Sequence, residues 1–127
     1  MPKLPRPTAA ELEILQVLWR IGPSTVRQVH DALSQDKTTG YTTVLKLLQI
    51  MTEKGLVRRD ESERAHRYQP CLAMAQTQRR FVVELLDKVF GGSASLLVQQ
   101  ALSAGKASPE ELRKIRLMVE ELERGDK

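Results

Sequence analysis

The chain has 127 residues, 41% of them apolar and 28% charged, which suits one domain with or without a smaller helical appendix and excludes a disordered chain. No apolar run reaches the roughly 18–20 residues of a membrane span, and the N-terminal MPKLPRPTAAE lacks the apolar core of a signal peptide, so a cytoplasmic location is expected. Net charge is +4, and the excess sits early: residues 1–70 hold eleven Lys and Arg against eight Asp and Glu, residues 71–127 nine against eight.

A basic excess favours an anionic partner such as nucleic acid, through phosphate neutralisation and counterion release. The single cysteine, Cys71, has no second thiol to bridge to, in keeping with a reducing compartment.

The first helix is marked by TAAE at 8–11, where Thr8 can accept from an orphan N–H and Glu11 can reach back, the capping-box pattern. Leu12, Leu15, Leu18 and Trp19 follow at helical spacing until Gly22-Pro23, and Trp19 is expected in the core rather than stacked on a base. In STVRQVHDAL, Ser24 or Thr25 caps a second helix whose Val26, Val29, Ala32 and Leu33 form one apolar stripe. A loop over SQDKTTG leads to a third helix from about Gly40 to Lys54. At about 100° per residue, Val44, Leu47, Leu48 and Met51 share its core face, while Thr42, Lys46, Gln49 and Glu53 point the opposite way with Thr43 on a flank. Gly55 is the natural residue after its last turn.

LVRRDESERAHRYQP then reads as strand, polar turn and strand, closing at Pro70. Leu56 and Val57 open the first strand, Tyr68 anchors the second, and Arg58, Arg59, Arg64, His66 and Arg67 surround the tip. Three helices and a basic hairpin over residues 1–71 are the layout of a winged helix-turn-helix, in which the third helix enters the major groove and the hairpin flanks it. On this reading Thr42, Thr43, Lys46 and Gln49 meet base edges, since hydroxyl and amide groups bond them and a threonine methyl meets the thymine methyl. Lys46 equally suits a phosphate. Arg27, Lys54, Arg58, Arg59, Arg64 and Arg67 are backbone contacts, which position the protein without reading sequence. The plainer alternatives are a solvated helix face and, in the wing, local pairing with Asp60, Glu61 and Glu63. Phosphate contact is expected for at least two of the four wing arginines, and Glu53 is expected to pair with a cation.

Residues 72–127 read as helix throughout. TQRRFVVELLDKVF puts Phe81, Val82, Leu85, Leu86, Val89 and Phe90 in a broad stripe ended by Gly91-Gly92. SASLLVQQALSAG is a shorter helix with Leu96, Leu97 and Leu102 as apolar positions. SPEELRKIRLMVEELE opens on a Ser108 cap, Pro109 and Glu111, and its Leu112, Ile115, Val119 and Leu122 recur at intervals of 3, 4 and 3, a heptad-like seam. About 55 residues in three short helices bury little alone. A second copy of the chain is the expected cover, which makes this half a three-helix dimerisation module, with the 81–90 stripe as dimer core rather than an effector pocket. No nucleophile motif, Gly-rich phosphate loop, HExxH or CxxC occurs, and His30, His66 and Cys71 stand in no metal-ligand pattern. No enzyme activity, cofactor or metal is expected.

TAAELEILQVLWRIGPSTVRQVHDAL followed by GYTTVLKLLQIMTEKGLVRRD resembles the penicillinase-repressor (BlaI/MecI/CopY) family of bacterial winged-helix repressors. Glu11, Leu15, Leu18 and Trp19, then Thr25-Val26, then Tyr41 to Val44 and Glu53 to Val57 carry the likeness, which runs over roughly residues 8–123. The resemblance implies a homodimer on a palindromic promoter site, often with TACA/TGTA half-sites. It implies base-reading at Thr42, Thr43 and the neighbouring Leu45 and Lys46, with backbone contacts at the start of the second helix, at Thr25, and on the wing; Tyr41 is a further expected backbone contact. It further implies a membrane sensor metallopeptidase whose activation leads to cleavage in the dimerisation module. Members cut this way carry an Asn-Phe bond after the GG…SL segment, where this chain has Gln99-Gln100. The copper-responsive branch has a C-terminal cysteine cluster, which has no counterpart here. Two other uses of the fold stay open: a small-molecule-sensing regulator with its ligand in the helical tail, and a protein-interaction module without specific DNA binding.

Overall fold

The computed structural model describes residues 6–35 and 38–125. Its order is α1 (Ala9–Ile21), α2 (Val26–Leu33), α3 (Tyr41–Lys54), β1 (Val57–Asp60), β2 (Arg67–Pro70), α4 (Met74–Lys88), α5 (Ala94–Ser103) and α6 (Pro109–Glu123). Two compact units divide between Gln78 and Arg79, inside α4 and later in the chain than the expected boundary at 71–72. Of the loop expected over 34–40, positions 36 and 37 lie outside the described residues. No helix among the described residues is long and apolar enough to cross a membrane.

Capping explains where the helices of the first unit begin. Thr8 Oγ1 accepts from the Glu11 N–H at 3.3 Å, and the Thr8 N–H donates to Glu11 Oε1 at 2.8 Å. Thr25, rather than Ser24, does the same for α2, in a reciprocal pair with Gln28 at 3.2 and 2.9 Å. Ser24 is freed for another task. It exchanges both backbone hydrogen bonds with Tyr68, at 3.0 and 2.7 Å, so a one-residue bridge stitches the α1–α2 connection onto the wing. α3 ends at Gly55, whose φ of +82° lets its N–H turn back to the Met51 and Thr52 carbonyls, a conformation that favours glycine.

These elements close around one core: Ile14, Leu15, Val17 and Leu18 from α1, Val26 and Val29 from α2, Val44, Leu48 and Met51 from α3, and Leu56, Val57 and Tyr68 from the hairpin. Leu47, expected on the core face, is only half-buried, and Trp19 likewise packs at the edge. Trp19 Nε1 donates to the Leu72 carbonyl at 2.9 Å, tying α1 to the segment that enters α4. Trp19→Phe keeps most of the ring contact and loses this bond, so its expected cost is about 1 kcal/mol of unfolding free energy. A urea midpoint equal to that of the wild type would show that the indole bond adds nothing.

The hairpin is antiparallel, with Val57 opposite Pro70, Arg58 opposite Gln69, Arg59 opposite Tyr68 and Asp60 opposite Arg67. Opposed residues share a face and successive residues alternate. Buried Val57 and Tyr68 therefore put Arg59 on the helix-facing side and Arg58 and Arg67 on the other.

In the second unit, Ser93 Oγ accepts from the Leu96 N–H at 3.2 Å to start α5, and Ser108 and Glu111 form a capping box at 3.1 and 3.4 Å with Pro109 at the first helical position of α6. Neither α5 nor α6 holds a buried side chain among the described residues. Val82, Leu85, Leu96, Leu112 and Val119 are all exposed, and Val89 and Leu122 are 64% and 74% exposed. Phe81, Leu86, Phe90, Leu97, Leu102 and Ile115 are half-buried.

Candidate nucleic-acid interface

With Val44, Leu48 and Met51 fixing one side of α3 in the core, its opposite row is committed to the surface. Thr42, Thr43, Lys46, Gln49 and Glu53 are all exposed, as is Ile50. Glu53, expected to pair with a cation, makes no ion pair among the described residues.

The wing stands beside this row. One groove is lined by Thr25, Arg27, Tyr41, Leu45, Gln49, Arg59, Arg64 and His66, among others, and no acidic residue among the described ones lines it. An adjoining groove is lined by Lys46, Gln49, Ile50, Thr52, Glu53 and Arg59. Gln49 and Arg59 belong to both, so the helix-facing arginine of β1 and the middle of α3 line the same surface. Adjacent in sequence, Arg58 and Arg59 read as neighbours with one job, and strand alternation sends them to opposite sides.

Tyr41 links the two helices of the turn. The Arg27 guanidinium lies 4.8 Å from its ring centroid, and the His30 ring meets it edge-on at 6.0 Å. His30 Nδ1 is 3.1 Å from Asp31 Oδ1. Arg27 is thereby held at the mouth of the first groove by a contact that uses its face and leaves its N–H groups available. Thr25 is similar. Its hydroxyl oxygen accepts from Gln28, and its own proton remains free to donate.

The wing arginines are not bare. Arg59 places Nη2 at 2.5 Å and Nε at 2.7 Å from Glu61 Oε2, and also meets the Tyr68 hydroxyl. Arg67 Nε lies 3.3 Å from Glu63 Oε1. With the Gln69 amide turned to satisfy both groups, its oxygen accepts from Arg58 Nε and Nη2 at 3.0 and 2.8 Å. Arg64, near the tip, has no carboxylate partner among the described residues. Asp60 is held below the usual carboxylate range, chiefly by the Ser62 backbone N–H at 2.9 Å.

Lys54 sits differently from its expected place on the DNA backbone. Its Nζ lies 2.7 Å from Glu11 Oε1, a carboxylate whose side chain is 3% exposed, against 33% for the lysine. Burial pushes the Glu11 carboxyl up, but the hydrogen bonds from Lys54 and Thr8 outweigh it and hold the group below its ordinary value. The pair joins the start of α1 to the end of α3 across 43 positions of sequence. The capping box by itself accounts for Glu11, so nothing in the sequence pattern asks for a second partner.

Gln99 and Gln100 lie exposed within α5. Among the described residues no three His, Cys, Asp or Glu side chains stand together in a metal-holding group.

Comparison with known proteins bears on this surface. The family model described as Penicillinase repressor matches residues 7–121. A protein named transcriptional regulator BlaI, from Mycobacterium tuberculosis, is 35% identical over 128 residues, spanning 98% of this chain and 91% of the relative. The penicillinase repressor of Bacillus licheniformis is 24% identical over 121 residues, spanning 95% and 94%. The solution structure of Bacillus licheniformis BlaI in monomeric form with the blaP half-operator is similar at a TM-score of 0.51 and 27% identity, covering 59% of this chain and 92% of that one. The solution structure of the DNA-binding domain of the repressor BlaI gives the same values.

Proposed function

Because this chain belongs to the penicillinase repressor family, we propose that it acts in the cytoplasm as a homodimer on a palindromic promoter operator. Its class is that of the BlaI-type transcriptional regulators with a winged-helix DNA-binding domain, and not of enzymes. The observation that carries the reading is the exposed row Thr42, Thr43, Lys46 and Gln49 set beside a groove lined by Arg27, Arg59 and Arg64 without an acid. The helix is the width a major groove admits, and the cations flank it where phosphates run. The half-operator complex of the Bacillus relative supports the same assignment.

In this account α3 reads bases, while Thr25, Arg27, Tyr41 and the wing arginines hold the sugar–phosphate backbone. The exposed apolar faces of α4, α5 and α6 are covered by the second protomer. Two α3 helices then stand about one DNA turn apart, roughly 34 Å or a multiple of it. Repression follows from occupying a promoter. Release follows from a signal that separates the helical units, for which a membrane sensor metallopeptidase is the family-type partner. The Gln99–Gln100 bond is exposed but helical, so cleavage there requires α5 to unwind first.

The test is selection of duplexes from a randomised pool by the full chain, followed by fluorescence anisotropy across a salt series. A two-fold symmetric consensus is expected, bound at about 10⁻⁸ M or tighter, against roughly 10⁻⁴–10⁻⁶ M for a scrambled duplex. No consensus, with equal and salt-sensitive binding to all duplexes, hands the fold to a protein-interaction role. Within this assay Gln49→Ala is expected to weaken the selected duplex by about 1–3 kcal/mol and to leave the scrambled duplex unchanged. An equal loss on both would place Gln49 on the backbone.

A further inference from the structure

We propose that Glu61 and Glu63 are specificity residues whose carboxylates stand in for DNA phosphates on Arg59 and Arg67, so that the wing is fully engaged only where α3 has seated the protein. The proposal rests on the reading of α3 as the base-reading helix.

Two of the four wing arginines are bonded by carboxylates of their own hairpin, Arg59 by Glu61 and Arg67 by Glu63. The other two are not: Arg58 is held by the neutral Gln69 amide, and Arg64 has no carboxylate partner among the described residues. The distinction matters because an amide orients a guanidinium without cancelling its charge, whereas a carboxylate does both. The partners are two and four positions apart in sequence, so the pairs re-form quickly whenever they open.

Glu61 and Glu63 are also exposed, and an exposed pair is weak in water. It yields to a phosphate delivered at fixed distance and geometry, and it holds against one that is merely nearby. On unrelated DNA the protein lies loosely, the pairs persist, and the wing releases few counterions. On its own site α3 fixes the wing against particular phosphates, and the guanidiniums change partner. Arg59 is the more directly coupled of the two, because it lines both grooves beside Gln49 of α3. Arg67 acts on the outer face of the wing. A carboxylate that weakens diffuse binding more than seated binding widens the gap between them, which is specificity obtained without any base contact.

The test uses the full chain carrying Glu61→Gln and Glu63→Gln, with Glu120→Gln and Glu121→Gln on α6 as a control of equal charge change. Each is titrated with the selected and the scrambled duplex across a salt series. The double wing variant is expected to bind the scrambled duplex about tenfold tighter, with a salt slope steeper by about 1–2 for each protomer engaged. Its selected duplex should gain less than about threefold, so discrimination falls, while the α6 control keeps the wild-type discrimination. Equal tightening on both duplexes, no change on either, or the same loss of discrimination in the control overturns the proposal. A wild type that finds no preferred duplex sinks the reading of α3 and this proposal with it. A wild type and a wing variant that discriminate equally sink this proposal alone.

Discussion

Aspartate at both Leu85 and Val89 is expected to leave the chain monomeric and to weaken its selected duplex by about a hundredfold or more. Leu85 is exposed on α4 with Val82 beside it, Val89 is exposed just past the end of that helix, and α6 presents Leu112, Val119 and Leu122 in the same condition. Large apolar side chains exposed in such number are the kind of surface that a partner covers. A carboxylate placed in it costs nothing while it stays in water and several kcal/mol once a partner buries it unpaired. In the proposed dimer the substitutions therefore act mainly on association, with Val89 at 64% and Leu85 at 45% exposure in the protomer. Bivalent binding supplies the affinity loss, because the second half-site is engaged at the high effective concentration set by the first. Sedimentation velocity reads the oligomer, circular dichroism the helices, and anisotropy the DNA. A double variant that remains dimeric, or a monomer that binds as tightly as the wild type, would remove the dimer from the account.

The same arithmetic bears on release. In the proposed dimer a signal need not touch the DNA-binding surface to free a promoter, since separating the helical units would forfeit the bivalent gain. Gln99 and Gln100 lie inside α5, so the proposed cleavage there would divide into unwinding and then hydrolysis. A peptidase binds its substrate as extended chain, and the hydrogen-bonded backbone of α5 must open before that bond is presented.

What can be read from the sequence follows the rules that act over short distances. The Thr8–Glu11 and Ser108–Glu111 boxes, the face of α3 and its stop at Gly55 all depend on residues within one turn or two. What escapes is set by chain reversal. Ser24 reads as an alternative cap for α2 and is instead a strand partner of Tyr68, because only the folded wing brings those backbones together. Arg58 and Arg59 read alike as backbone contacts of the wing, and register and alternation send them to opposite faces. Leu47 satisfies the helical period yet lies at the edge of the core, since the wheel gives direction and not the extent of what lies opposite. In the second unit the helices are legible and the surface that covers them is not, for a sequence states that a face is apolar without stating what meets it.

Lys54 is the position where local pattern and fold disagree most, and Lys54→Met is expected to cost about 2 kcal/mol of unfolding free energy at neutral pH. The variant keeps the aliphatic stem and leaves the Glu11 carboxylate buried with only Thr8 to bond it. In the wild type the folded carboxyl lies below its ordinary value of 4.5, so Glu11 contributes stability above that pH and loses it as pH falls through the folded value. Without the lysine, two of the interactions that lower the carboxyl are gone and its folded value rises. The variant's deficit is therefore greatest at neutral pH and shrinks in acid, as Glu11 takes up a proton and its burial stops costing charge. Urea midpoints at pH 7 and near pH 4 decide this, and an equal deficit at both would dismiss the ion pair as its source. The salt series adds a second decision. If Lys54 held a phosphate, its loss would flatten the slope of binding against salt by about 0.9 for each protomer, about 1.8 for the dimer. With its ammonium committed to Glu11 the slope is expected to stay, and any loss of affinity then reflects an α3 that is no longer fastened to α1 at its C-terminal end.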